Sequence, residues 1–367
     1  MRTDYKVLGD YIQLVDERNK DSVTDRVLGI NIDKYFMPSV ANVIGTDLSK
    51  YKLITKGRFA CNPMHVGRDE RLPVALYDED TPAIVSPAYF MFEVKDNEVL
   101  DNDYLMMWFR RPEFDRICWL RTDGSVRGGI TWDDICRMEL PVPSIEEQRN
   151  IVKAYKTITD RIALKKQIND NLEATAQAIY KNLFVDSVDV SDLPKDWYIS
   201  ALGDIAELSA GGDRPAVYSD FQTEACTVPI YSNGIDEEGL YGFTDKAKIY
   251  EESVTVSARG TVGYVFLREE PYVPIVRLIS VIPNKEYVTA KYLYFALSLI
   301  DLQSTGTSQQ QITVPDFKKR QVLVPSRSAM TDFMMKVEPI FKSIQQNKAE
   351  IKALSVLQDN FLTTLSR

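Results

Sequence analysis

Only one histidine, His65, occurs among the 367 residues, and only four cysteines, Cys61, Cys118, Cys136 and Cys226. One histidine offers no plausible Ser/His/Asp set. No two cysteines stand at zinc-ligand spacing, so no metal site is expected and the cysteines read as reduced packing thiols. The chain also lacks a Gly-x-x-x-x-Gly-Lys-Ser/Thr phosphate loop and a Gly-x-Gly-x-x-Gly after a strand. Asn62-Pro63-Met64-His65 lacks the second proline and the aromatic of the amino-methyltransferase loop that it partly matches. No apolar run reaches the ~18 residues of a membrane span. The opening MRTDYKVLGDYIQ has no signal-peptide core, so a cytoplasmic location is expected. Positive charge is scarce too: the net charge is −9, made of −5 for 1–142, +2 for 143–185, −8 for 186–325 and +2 for 326–367. A nucleic-acid reader built this way needs clustered Arg and Lys rather than a basic domain.

What the chain does contain is itself, twice. At an offset of 182 residues, Ile130–Val185 lies on Ile312–Arg367 without a gap, with 11 of 56 positions identical. ITWDDICRMELPVPS faces ITVPDFKKRQVLVPS, and both copies then turn helical. Val7-Leu8-Gly9-Asp10 likewise matches Ala201-Leu202-Gly203-Asp204 at offset 194. Four segments follow: a domain over 1–142, a long helix over 143–185, a second domain over 186–325 and a second long helix over 326–367. Between their conserved ends the two domains hardly resemble each other.

The helical stretches carry one apolar seam each. In the first, Ile151, Tyr155, Ile158, Ile162, Lys165, Asn169, Leu172, Ala176, Ile179 and Leu183 step by 4, 3, 4, 3, a heptad pattern. Phe333, Val337, Ile340, Ile344, Asn347, Ile351, Leu354 and Phe361 repeat it in the second. Lys165 and Asn347 interrupt the two seams at the same place, a device that fixes register at some cost in stability; Lys165→Leu is expected to stabilise the helices and loosen their register. Gln358, in the place of Ala176, is expected to weaken the second seam. Ser144 with Glu147 forms a capping box, and Ser326 caps the second helix. Pro339 is expected to kink that helix or to move its start later. A helix over 145–184 is ~60 Å long and needs a partner along its seam. The pattern predicts two helices that pack on each other as a coiled coil.

Both domains read as α+β. Residues 227–268 alternate short β-branched and aromatic runs with Asn-Gly, Glu-Gly, Tyr-Gly and Arg-Gly turns, and YKLITKGRFACNP and AIVSPAYFMFEV read alike. Asn102–Arg111 and Ala290–Leu302 read as short aromatic helices. Polar groups suited to base edges fall in the turn-rich stretches, since Arg matches guanine and Asn or Gln matches adenine. These are Arg58, Asn62, His65, Arg68, Arg71, Arg121 and Arg127 in the first domain. In the second they are Arg214, Asn233, Arg259, Ser308, Gln309, Gln310 and Gln311.

Over essentially its full length the chain resembles the specificity subunit of type I restriction–modification systems. The resemblance rests on KGRFACNPMHVGR, VSPAYFMFEV, PIYSNGIDEEGLYGF, VTVSARGTVGYVF and STGTSQQQIT, and most specifically on LPVPSIEEQRNIVKAY and VLVPSRSAM at the helix starts. It implies two target recognition domains, each reading half of a bipartite double-stranded DNA site, and two antiparallel helices holding them apart. It implies no catalytic residue and no cofactor in this chain. Two methyltransferase subunits would bind S-adenosylmethionine and methylate adenine N6, and restriction subunits would add ATP- and Mg-dependent translocation and cleavage. Two other readings fit the same residues: a coiled-coil scaffold that does not recognise DNA, and an enzyme with its own active site.

Overall fold

The computed structural model describes residues 5–41, 43–64, 66–122, 128–300 and 311–364. His65, Arg127, Ser308, Gln309 and Gln310 lie outside the described residues. Two compact units emerge: Met1–Gln167 with Asn347–Arg367, and Ile168–Gln346. Each long helix is thus divided between them.

In the first unit, alternation along short strands builds two cores at once. Phe59–Cys61 is an inner strand of an antiparallel sheet ordered Ile12–Leu14, Phe90–Val94, Phe59–Cys61, Val74–Leu76. Phe59, Cys61 and Phe92 point to one core, with Tyr104, Phe109 and Phe114 of the helices Asn102–Phe109 and Pro112–Leu120. Ala60 and Met91 point the other way, to a core with Leu28, Ile54, Ala83 and Val85. The period of two makes this split. Those last residues belong to a second sheet ordered Phe36–Pro38, Val27–Ile30, Ala83–Val85, Lys52–Ile54, whose middle pair is parallel. Asp101 starts the first helix by accepting from Asp103 N and Tyr104 N.

The second unit repeats this arrangement. Its main sheet is ordered Ala206–Ala210, Ile279–Pro283, Ser253–Val256, Val265–Arg268, all antiparallel. Its second sheet, Leu240–Thr244, Val228–Tyr231, Val273–Pro274, again contains one parallel pair. A helix, Ala290–Ser298, covers the main sheet and is capped by Thr289. The two domains, which hardly resemble each other in sequence, thus share a fold, as the repeat implies. The offset is 194 residues at the first strand (Ile12 against Ala206) but 182 at the last short helix (Trp132 against Val314). Loops of unequal length absorb the difference, and an ungapped comparison cannot see through them.

Each repeat is closed by its own ends. Tyr5–Val7 pairs with Glu139–Pro141, and Tyr198–Ala201 with Gln321–Val324, both antiparallel. Leu8 N donates to Met138 O at 2.7 Å and Leu202 N to Arg320 O at 2.8 Å. This explains the repeated glycine: a Cβ on Gly9 would stand 2.9 Å from Cys136 Cβ, and one on Gly203 3.0 Å from Lys318 Cβ.

Helix α1 spans Ile145–Lys181 and continues through a wider π turn, Asn182–Asp186; helix α2 spans Arg327–Thr364. Ser144 Oγ accepts from Glu147 N at 3.3 Å and Ser326 Oγ from Ala329 N at 3.4 Å, so both serines cap as expected. Pro339 does not delay α2, which runs through it from Arg327. Phe333, Val337, Phe341 and Ile344, buried on both sides of the proline, offset its missing N–H.

The helices run antiparallel within each unit. In the first, the rings of Tyr155 and Phe361 lie 6.1 Å apart, Arg161 Nε donates to Glu350 at 2.6 Å, and Lys165 Nζ donates to Asn347 Oδ1 at 2.7 Å. In the second, the rings of Tyr180 and Phe333 lie 6.0 Å apart. Tyr155, Ile162, Phe333, Val337, Ile344 and Asn347 are buried, while Ile151, Ile158, Lys165, Leu172, Ile179, Ile340, Ile351, Leu354 and Phe361 are half-buried. Two seam expectations change. Lys165 is no unpartnered interruption, because Asn347 and Glu350 (2.9 Å) both receive it. Gln358 joins the helices, donating to Tyr155 OH at 3.2 Å and Thr159 Oγ1 at 2.9 Å.

Candidate functional site

In both units the isoleucine of the Ile-Thr pair bonds a turn-rich loop. Ile130 N donates to Pro63 O at 3.1 Å, and Ile312 N donates to Ala258 O at 3.1 Å. Gly67 N adds a bond to Gly128 O at 3.0 Å. The loop CNPMHVG of the first unit and the loop SARGTVG of the second thus hold the same position after equivalent strands.

The first-unit candidates are largely neutralised where they stand. Arg58 precedes the strand Phe59–Cys61 and Asn62 follows it, so they occupy opposite ends. Arg58 pairs with Glu17 at 2.6 Å and Glu93 at 3.5 Å. Arg68 pairs with Asp69 at 2.6 Å, Arg71 with Asp33 at 3.0 Å, and Arg121 stands 4.0 Å from Asp134. Asn62 Oδ1 accepts from Met64 N at 3.1 Å. Sequence reasoning passed over a cleft of about 850 Å³ whose lining includes Lys34, Arg71, Arg110, Asp115, Arg116 and Trp119. Lys34 is buried against Asp115 at 2.7 Å. Burial holds its ammonium below the usual lysine range, and the carboxylate opposes that shift. Arg116 lies inside the helix Pro112–Leu120 and Arg110 caps the end of the helix Asn102–Phe109 with no Gly or Asn beside it, so the turn criterion does not reach them.

The second-unit candidates converge. Asn233 joins three loops: its Nδ2 donates to Val276 O at 2.6 Å, its Oδ1 accepts from Ala258 N at 2.8 Å, and its backbone carbonyl accepts from Thr261 Oγ1. Its amide is therefore engaged within the domain. Arg259 follows Ala258 and is exposed, and Gln311, also exposed, precedes the Ile312 that bonds Ala258. A fourth loop arrives through Gly211 and Gly212, whose carbonyls accept from Arg277 N (3.1 Å) and Val276 N (2.9 Å). Arg214, two residues on, lies 4.5 Å from the Tyr218 ring centroid. Behind these loops Arg268, 3% exposed, lies 3.5 Å from the Tyr231 ring centroid. It donates to Thr255 Oγ1 at 2.9 Å and Glu238 O at 2.6 Å. A convergence of loops with exposed guanidiniums and an amide, set on a buried scaffold, suits recognition of a polar surface rather than turnover of a small substrate. Among the described residues no group of histidine, cysteine and carboxylate side chains is placed to hold a metal, and no helix is long and apolar enough to cross a membrane.

Known proteins share this organisation. The pattern of the type I restriction modification DNA specificity domain matches residues 73–174 and 194–353, more than half of the chain. A Mycoplasma pneumoniae protein named as a type I specificity subunit, S.MpnORF89P, is 35% identical over 141 residues, 38% of this chain and 42% of its own length. A second from the same organism, S.MpnORF507P, is 30% identical over 213 residues, 56% of each chain. The chain therefore spans about half the length of these relatives. The crystal structure of a type I restriction–modification S subunit from M. genitalium covers 98% of this chain and 95% of its own, with a TM-score of 0.58 at 16% identity, a likeness of fold. With the pattern matched once in each repeat, the chain belongs to the type I restriction–modification DNA specificity family.

Proposed function

We propose that the chain is the non-catalytic DNA-recognition subunit of a type I restriction–modification complex. Each domain takes one half of a bipartite double-stranded target, and the two half-sites are separated by a fixed gap. The observation that carries this reading is the duplication. The same fold occurs twice, and in each copy the same hydrogen bond ties the isoleucine of the Ile-Thr pair to a turn-rich loop. A long helix follows each copy. The chain recruits two methyltransferase subunits, which bind S-adenosylmethionine and methylate adenine N6. Restriction subunits, where they join, bring ATP and Mg. The complex works in the cytoplasm.

The net charge of −9 bears on the mechanism. Affinity for duplex DNA comes largely from phosphate neutralisation, and several first-unit cations are already matched by carboxylates. The partner subunits supply much of the grip, while this chain supplies the choice of sequence.

The test is a genome-wide map of N6-methyladenine in host cells with and without the gene. Loss of one bipartite motif with a fixed gap is the expected result. Unchanged methylation, in cells shown to express the methyltransferase, would refute the proposal in favour of a scaffold.

A further inference from the structure

The link between Val273–Pro274 and Ile279–Pro283 is the tight turn Ile275-Val276-Arg277-Leu278, closed by Leu278 N donating to Ile275 O at 3.0 Å. Val276 and Arg277 both have left-handed backbone, with φ of 52° and 65°. Two such residues in succession ordinarily call for Asn-Gly or Gly-Gly. A β-branched valine there is a true outlier. Strain of this kind persists only where the surroundings over-determine it, and it gathers at functional positions.

Here the surroundings are explicit. Val276 N and Arg277 N donate to Gly212 O and Gly211 O, and the Val276 carbonyl accepts from Asn233 Nδ2. Gly211 can carry no side chain, since a Cβ would stand 2.7 Å from Ile275 N. The backbone of the turn is thus clamped from two neighbouring loops; Ile275 and Leu278 are buried, and the side chains of Val276 and Arg277 face outward. Val276 is 52% exposed. Arg277 is exposed and has no ion-pair partner among the described residues. This contrasts with the paired arginines of the first unit. The clamp fixes the backbone from which this guanidinium projects; its planar fork matches guanine O6 and N7 bidentately, whereas any cation serves a phosphate.

We propose that Arg277 reads a guanine through its O6 and N7 in the half-site taken by the second unit, and that Asn233 is the positioning residue that holds its turn. This rests on the DNA-recognition reading above. The test maps adenine methylation in host cells whose gene carries single substitutions, with the partner methyltransferase present. Arg277→Ala is expected to cut the preference for guanine at one position of one half-site by roughly tenfold to a hundredfold. The other half-site and the gap stay unchanged. Arg277→Lys keeps the charge but loses the fork, so it relaxes the same position. Asn233→Ala relaxes that position too, a change that a purely structural role would not confine to one base.

Arg277→Ala with both half-sites intact would overturn the proposal, and so would a uniform loss of methylation with base preference unchanged, which marks a phosphate contact. Thermal melting of each purified variant accompanies the maps. Should Arg277→Ala fail to fold, Arg277→Asn, whose side chain tolerates left-handed backbone, decides by the same readout. Deletion of the gene with no change in methylation refutes the underlying reading instead, so the two failures are distinguishable.

Discussion

At the scale of single residues, the second domain depends on a buried arginine that faces no substrate. Arg268 stacks on Tyr231, bonds Thr255 and supports the carbonyl of Glu238. Glu237 and Glu238 have left-handed backbone, and Arg268 holds that segment in place. Removing it leaves the buried Thr255 hydroxyl and the half-buried Glu238 carbonyl unmatched, so Arg268→Ala is expected to cost about 2–4 kcal/mol. Urea unfolding checks this, and a loss under about 1 kcal/mol would show that the segment holds itself. Little of this was legible beforehand. Arg268 ends a run, YVFLR, that reads simply as strand. The turn at Val276–Arg277 hides in VPIVRLIS, which contains no glycine, asparagine or aspartate inside the turn to announce it. Sequence marks turns by residues that favour them, and a turn imposed by neighbouring loops carries no such mark. Arg214, Arg259 and Gln311 stand beside glycine turns or the repeated Ile-Thr pair, so the sequence does mark their places.

At the scale of elements, Tyr155, Ile162, Ala176, Phe333, Val337, Ile344 and Asn347 of the two seams are buried. A 3.5-residue period admits one helix face, and both copies obey it. What periodicity could not supply was the chemistry of its polar positions. Lys165 meets Asn347, its own counterpart in the repeat, and reaches Glu350 as well. Lys165→Leu is therefore expected to destabilise the first unit, the reverse of the sequence-based expectation, because the buried Asn347 loses a donor. A raised melting temperature would show the seam preferring an apolar residue after all. Glu350 makes the same contact sensitive to pH. The hydrogen bonds from Lys165 and Arg161 hold its carboxyl below the usual range. A depressed carboxylate stabilises the fold above its unfolded value, near ~4.3, and that contribution is lost as pH falls through the lower folded value. Glu350→Gln should thus lower the urea midpoint at pH 7 and make little difference near pH 3. An equal effect at both pH values would mean that the charge is immaterial.

At the scale of the whole molecule, the two repeats predict independent tasks. Substitutions in 206–312 should alter one half-site, and substitutions in 12–130 the other, each read from a methylation map. A single substitution altering both would contradict one domain per half-site. The isolated chain, at −9, should bind DNA weakly, with an affinity that falls as salt rises. A flat dependence would show that it touches no phosphate. One feature of the first unit reaches back to synthesis on the ribosome. The opening half of α1 is covered by residues near the far end of the chain, with Lys165 and Asn347 separated by 182 residues. At ~5–20 residues per second, roughly 10–40 s pass before that cover is made. Throughout this interval Ile151 and Tyr155 can already pack on the core of their own domain, while Ile158 and Ile162 lack the helix that later faces them.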